Sequence, residues 1–203
     1  MGNYGNMSHR LLNLRLLHRL GVSIFIFDYR GYGQSLGHTS EQGTYDDLRG
    51  AIAMLVQRGW KPDRMILFGR SLGAAVALQV AIETTPAGVI LETPFTSIRD
   101  MGWSHYTLFY FLLGWLIQAD YDNLAKIGRL HCPLLILHGT KDTICPPRMA
   151  RELFERANDP KQLVWIEGAG HNDTLDRGGQ SYWQTWRQFL EMSVGFAIAN
   201  SQE

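Results

Sequence analysis

Three residues of this 203-residue chain have types and surroundings suited to acyl-transfer chemistry: Ser71, Asp142 and His171. A serine hydroxyl barely ionises at neutral pH, so it attacks a carbonyl only when a base takes its proton during the attack. Histidine suits that task because its pKa lies near the working pH. A carboxylate behind the histidine fixes the imidazole tautomer and stabilises the imidazolium that forms. Ser71 stands in Gly69-Arg70-Ser71-Leu72-Gly73, which fits G-x-S-x-G. Asp142 closes His138-Gly139-Thr140-Lys141-Asp142, and His171 lies in Gly168-Ala169-Gly170-His171-Asn172-Asp173. The chain order Ser, Asp, His is the one that accompanies a serine on a strand–turn–helix elbow.

Each residue also has a plainer reading. G-x-S-x-G alone fits an ordinary βα turn. Asp142 alone reads as a cap for the helix near Pro146, and His171 alone as a surface histidine. The conjunction, with each residue after its own strand and in that order, favours chemistry. Asp173 and Asp176 are rival acids in the histidine's own loop. His138 is a rival base, though it ends a strand and reads as a packed residue. Asp28 and Asp120 also remain open. A developing oxyanion needs backbone donors. The Leu72 N–H, next to the nucleophile, is one. The second is expected from Gly2-Asn3-Tyr4-Gly5-Asn6, at Asn3 with Tyr4 next.

Such side chains must be held at strand ends. Ile66-Leu67-Phe68 enters the elbow as a strand, and Leu72 to Glu83 leaves it as a small-residue helix, with Gly73, Ala74, Ala77 and Ala81 on its packing face. Gly69 and Gly73 are needed because side chains there would collide with the neighbouring strand and helix. Ser71 is expected in a strained conformation near a helix N-terminus, where N–H groups receive negative charge. Val22–Phe27, Ala87–Glu92, Pro133–His138 and Lys161–Ile166 read as further strands. Helices are expected from a Ser8 cap to Gly21, over Thr44–Arg58, over Pro146–Ala157 and over Ser181–Ala199. Strands alternating with helices predict an α/β fold with a parallel sheet. Asp28-Tyr29-Arg30-Gly31-Tyr32-Gly33-Gln34-Ser35 is a Gly-punctuated loop without the spacing of a phosphate cradle. Thr93–Arg129 breaks the rhythm and is rich in aromatics. It reads either as a buried helix followed by a loop or as a lid insertion over an apolar acyl pocket.

Composition bounds the rest. The length suits a single domain over 1–203, and 45% hydrophobic residues suffice for a core. A net charge of zero and the lack of a basic run argue against a nucleic-acid partner. Two cysteines, Cys132 and Cys145, make no disulfide framework and suit a reducing compartment. No metal spacing is present, so neither a metal nor a cofactor is expected. No signal peptide opens the chain, and Asn6 defeats a myristoylation motif. The most apolar run, Thr107–Ile117, is too short to span a bilayer.

With these motifs in hand, the sequence resembles the α/β-hydrolase superfamily. More narrowly it resembles Bem46-type serine hydrolases, including the α/β-hydrolase domain 13 and 17 proteins. The matching stretches are Gly2-Asn3 with Asn6, Asp28 to Ser35, Gly69 to Gly73, Tyr121-Asp122-Asn123-Leu124, His138 to Asp142 and Gly168 to Asp173. The resemblance implies a hydrolase of acyl esters or thioesters acting on a small-molecule or acylated substrate. Palmitoyl removal, known among relatives, is not carried over, since it depends on a membrane-targeting N-terminus. The resemblance also implies a cytoplasmic protein, or a membrane-associated one if an upstream anchor exists. The family has a histidine where this chain has Met1, and it has upstream strands. One should lie between the strand at Val22 and the strand at Met65. Its absence leaves buried N–H and C=O groups without partners, at about 1–3 kcal/mol each. The chain is therefore expected to be a fragment, to have a start placed too late, or to pair those two strands directly. Alone it is expected to be poorly stable. Two other readings remain: a serine peptidase of the prolyl-oligopeptidase type, and a non-catalytic binding relative.

Overall fold

The computed structural model of the protein describes residues 7–105 and 119–195. Four strands form one parallel sheet in chain order: β1 (Ile66–Arg70), β2 (Gly88–Glu92), β3 (Leu134–Gly139) and β4 (Lys161–Ile166). The register sets Arg70 opposite Glu92, Val89 opposite Leu134 and Leu134 opposite Lys161. β2 and β3 are buried along their whole length. That explains their unbroken apolar runs, since a parallel strand covered on both faces has no polar side.

The helices are α1 (Met7–His18), α2 (Glu41–Gln57), α3 (Leu72–Thr84), α4 (Ile98–His105), α5 (Asn123–Lys126), α6 (Pro147–Arg156) and α7 (Thr174–Val194). Successive strand side chains alternate between faces. Val89, Leu91, Leu134 and Ile136 pack with Ala74, Ala77 and Leu78 of α3 and with Met149 and Leu153 of α6. Ile90, Leu135 and Leu137 pack with Trp186, Phe189 and Leu190 of α7. The sheet is thus the middle of three layers, an α/β architecture with helices on both faces.

Several boundaries differ from expectation. α1 begins at Met7, so Ser8 lies inside it. α2 begins at Glu41 rather than Thr44, because the Ser40 hydroxyl accepts the Gly43 N–H at 3.0 Å and caps the helix earlier. α7 begins at Thr174 and bends at Gly179 (φ 50°, ψ −132°), so the expected start at Ser181 falls just past the bend. Within 93–129, α4 supplies a helix, and residues 106–118 lie outside the described residues.

The largest correction concerns Val22–Phe27, which is not a strand. Residues 22–29 carry no regular structure. Ile24, Phe25 and Ile26 are 37%, 45% and 46% exposed. An apolar run becomes a strand only when a neighbour completes its hydrogen-bond ladder. Among the described residues, β1 pairs with β2 alone, so the direct pairing of the two segments does not occur. Also among the described residues, no helix is long and apolar enough to cross a membrane.

Candidate active site

β1 ends at Arg70 and α3 starts at Leu72, so Ser71 makes the whole turn between them. Its backbone is held at φ 53° and ψ −119°. A non-glycine residue pays for positive φ with strain, which persists only when its surroundings over-determine it. The tightness of the turn is visible at Gly69, where a Cβ would lie 2.0 Å from the Gly73 carbonyl oxygen. The Ser71 N–H donates to the Glu92 carbonyl at 2.9 Å. The Leu72 N–H is the first of α3 and so has no acceptor within its own helix.

Asp142 and His171 leave the neighbouring strands β3 and β4. Their loops are laced together. Lys141 N–H donates to the Ala169 carbonyl at 2.8 Å, Thr140 N–H to the Ile166 carbonyl at 3.1 Å, and Gly168 N–H to Thr140 Oγ1 at 2.9 Å. Gly139 permits this closeness, since a Cβ there would stand 2.3 Å from the Ala169 carbonyl oxygen. Asp142 is buried. Its Oδ1 accepts the N–H groups of Ile144 and Cys145 at 2.9 and 2.8 Å, which leaves Oδ2 to accept His171 Nδ1 at 2.8 Å. A proton on Nδ1 leaves Nε2 with a free lone pair, the state a general base needs. Ser71 Oγ makes no hydrogen bond to His171 among the described residues.

The rivals are otherwise engaged. Asp142 caps no helix, for α6 follows Pro146 without a side-chain cap. Asp173 Oδ1 accepts the Gly170 N–H at 2.7 Å, and its Oδ2 accepts from Arg177 at 3.2 Å. Asp120 Oδ1 accepts the Arg99 N–H at 3.1 Å. Asp28 sits under the Gly31–Gly33 loop, where a Cβ at Gly33 would meet its Oδ2 at 2.8 Å. His138 is fully buried and donates Nε2–H to the Cys145 carbonyl at 2.9 Å. Burial lowers its pKa against the opposing pull of that carbonyl and of Asp142, so it stays neutral.

Asp142, Cys145 and His171 bring an oxygen, a sulfur and a nitrogen within 4.8 Å of one another. These residues suit a metal poorly. Burial pushes the Cys145 thiol well above its ordinary pKa, and a metal binds the thiolate. Both Asp142 oxygens are already hydrogen-bonded. Asn3 and Tyr4, the expected second oxyanion donors, lie outside the described residues. Two residues around the site went unnoticed in the sequence, Arg70 and Glu92. The Arg70 guanidinium donates to the His171 carbonyl and to Asn172 Oδ1, and Glu92 is buried beneath it. Their only sequence signal is a charge at the last position of each of two adjacent strands.

A parallel sheet between helix layers, with a strained serine on the β1–α3 turn, defines an α/β-hydrolase fold. The chain belongs to the serine aminopeptidase S33 family of hydrolases, which it matches over residues 4–125 and 115–177. A protein of Mycobacterium tuberculosis is 39% identical over 190 residues, covering 93% of this chain and 67% of that protein. Human alpha/beta hydrolase domain-containing protein 17B is 33% identical over 177 residues, covering 87% of this chain and 59% of its own length. The chain thus spans about two thirds or less of these relatives. Among solved structures, a Paleococcus ferrophilus monoacylglycerol lipase matches with a TM-score of 0.69 at 23% identity, over 92% of this chain and 90% of that one. The Pyrococcus furiosus esterase Pf2001 matches with a TM-score of 0.74 at 22% identity, over 90% and 74%. At these identities the two structures speak for the fold.

Proposed function

We propose that this hydrolase cleaves carboxylic ester or thioester bonds through Ser71, His171 and Asp142. The observation that carries the reading is the 2.8 Å contact from His171 Nδ1 to Asp142 Oδ2, taken with a serine held at φ 53° on the β1–α3 turn. Ser71 Oγ attacks the acyl carbonyl while its proton passes to His171 Nε2. Asp142 steadies the imidazolium. The Leu72 N–H donates to the oxyanion, and Asn3 or Tyr4 supplies a second donor. As the tetrahedral intermediate collapses, His171 returns the proton to the departing alcohol or thiol. Water then attacks the acyl-enzyme by the same route, with His171 as base, and regenerates Ser71. The structural neighbours that share this fold are named a lipase and an esterase, and an acyl substrate is proposed in keeping with those names. The resemblance to Bem46-type proteins supports the same class and is strengthened by the relative named 17B.

A peptidase reading is favoured by the description of the matching family itself. It uses the same three residues on an amide. Labelling with a fluorophosphonate probe, read by intact mass, tests both. The wild-type chain should gain one adduct, and Ser71→Ala should gain none. A folded wild-type chain that stays unlabelled would overturn both readings. Turnover of p-nitrophenyl esters of graded chain length beside aminoacyl p-nitroanilides then separates ester from amide cleavage.

A further inference from the structure

Arg70 and Glu92 stand opposite each other where β1 and β2 end. They share the sheet face of Phe68 and Ile90, which carries α7: the Phe68 and Trp186 rings lie 4.9 Å apart. Glu92 is only 4% exposed. Its two ends reach in different directions. The main-chain carbonyl accepts the Ser71 N–H at 2.9 Å. The carboxylate Oε1 accepts hydrogen bonds from Thr174 Oγ1 and, at 3.2 Å, from the Tyr182 hydroxyl, both in α7. The other oxygen, Oε2, lies 3.9 Å from Arg70 Nε. Arg70 Nη2 then donates to the His171 carbonyl and, at 3.2 Å, to Asn172 Oδ1.

A single residue, Glu92, therefore ties the main chain of the serine to the helix that follows the histidine's loop. Arg70, the residue before the serine, grips the loop itself. Neither interaction touches the imidazole ring. Asp142 holds one edge of the ring, and the main-chain hydrogen bonds of the histidine's loop tie it to the loop after β3. The guanidinium adds a tie to the end of β1 through the histidine's own carbonyl. A buried carboxylate is retained only with partners, and Glu92 has hydroxyls on one oxygen and a cation near the other.

We infer that Arg70 and Glu92 are positioning residues that set the reach of His171 Nε2 to Ser71 Oγ. The inference rests on the serine-hydrolase reading above. It deepens that reading by naming what aligns the base with the nucleophile. Because the pair acts through the base and not on the substrate, its loss falls on kcat and leaves KM unchanged.

The test compares wild type with Arg70→Met, which keeps the apolar stem and removes every donor, and Arg70→Lys, which keeps a charged donor. The readouts are kcat and KM for p-nitrophenyl butyrate and the rate of fluorophosphonate labelling, with the thermal midpoint measured beside them. Misplacement of a catalytic group by about 1 Å costs on the order of a hundredfold, so Arg70→Met should lose about that factor in kcat and in labelling rate. Arg70→Lys should recover part of it at unchanged KM. A purely structural role would move the thermal midpoint alone and leave both rates near wild type. A folded Arg70→Met that labels as fast as wild type overturns the inference. A Lys variant no better than Met overturns it too. Should Arg70→Met not fold, Arg70→Gln carries the same expectation, since its short amide cannot span Glu92 and the His171 carbonyl together. An unlabelled, folded wild type sinks the hydrolase reading and this inference with it. A labelled wild type beside an equally labelled Arg70 variant sinks this inference alone.

Discussion

Gly69 sets the tightest constraint in the described chain. Its hydrogen faces the first turn of α3, and a methyl group in that place would sit 2.0 Å from a main-chain oxygen. Backbone cannot swing aside as a long side chain can. Gly69→Ala should therefore lose about 3 kcal/mol or more of unfolding free energy, or fail to fold. A urea midpoint equal to that of wild type would contradict this. The same scale explains how one carboxylate is selected among several. Asp142 uses one oxygen to close its own turn over Ile144 and Cys145 and keeps the other for His171. Asp173 lies in the histidine's own loop, yet both its oxygens are turned toward Gly170 and Arg177. Chain order and a strand of its own already favour Asp142 in the sequence. The direction of each side chain agrees with that preference.

At the scale of elements, the start of α2 meets the chain as it returns to α5. Glu41 Oε2 accepts the N–H groups of Asp120 and Tyr121 at 2.9 and 3.1 Å. Its Oε1 accepts from the Tyr45 hydroxyl at 2.7 Å and pairs with Lys126 at 3.4 Å. Burial pushes the Glu41 pKa up, but the Tyr45 hydrogen bond, the two N–H groups and Lys126 together pull it below the ordinary carboxylate value. The sign follows from linkage. The unfolded chain binds this proton at a higher pH than the folded one. The stabilisation is thus full above the ordinary Glu pKa and is lost as pH falls through the folded value. Wild type should exceed Glu41→Gln by about 1–3 kcal/mol at pH near 6, and the gap should narrow as pH falls below the ordinary Glu pKa of about 4.3. Urea midpoints of the two proteins across that range provide the check, and a gap independent of pH would refute the assignment.

On the scale of the whole molecule, the sheet has two edge strands among the described residues, β1 and β4, and the β1 edge is the more apolar surface. β1 pairs only with β2, Phe68 is 42% exposed, and the nearby segment holding Ile24, Phe25 and Ile26 is exposed as well. A strand edge flanked by apolar side chains is a template for association. Ile26→Lys should raise the monomeric fraction without lowering the melting midpoint, because the side chain already faces water. Light scattering behind size-exclusion chromatography reads the first, and circular dichroism the second. An unchanged or larger oligomer fraction would show that this surface does not drive association.

Much of this organisation is legible in the sequence alone. The four paired strands and the helix after the serine each follow from a local run of side chains whose apolarity records burial. The glycines of the elbow are equally legible, because the collision they avoid is between residues a few positions apart. What the sequence left open depends on partners distant along the chain. Val22–Phe27 has the composition of a strand, but a strand also needs a neighbour to complete its ladder, and composition does not report one. The turn of Asp142 toward His171, and of Asp173 away from it, is decided by loops from two strands meeting at Gly139 and Ala169. Arg70 and Glu92 read as charges at strand ends until the register sets them side by side and buries one of them. Local chemistry is written in residue types and short spacings. Direction, pairing and burial arise only when the sheet brings separate strand ends together.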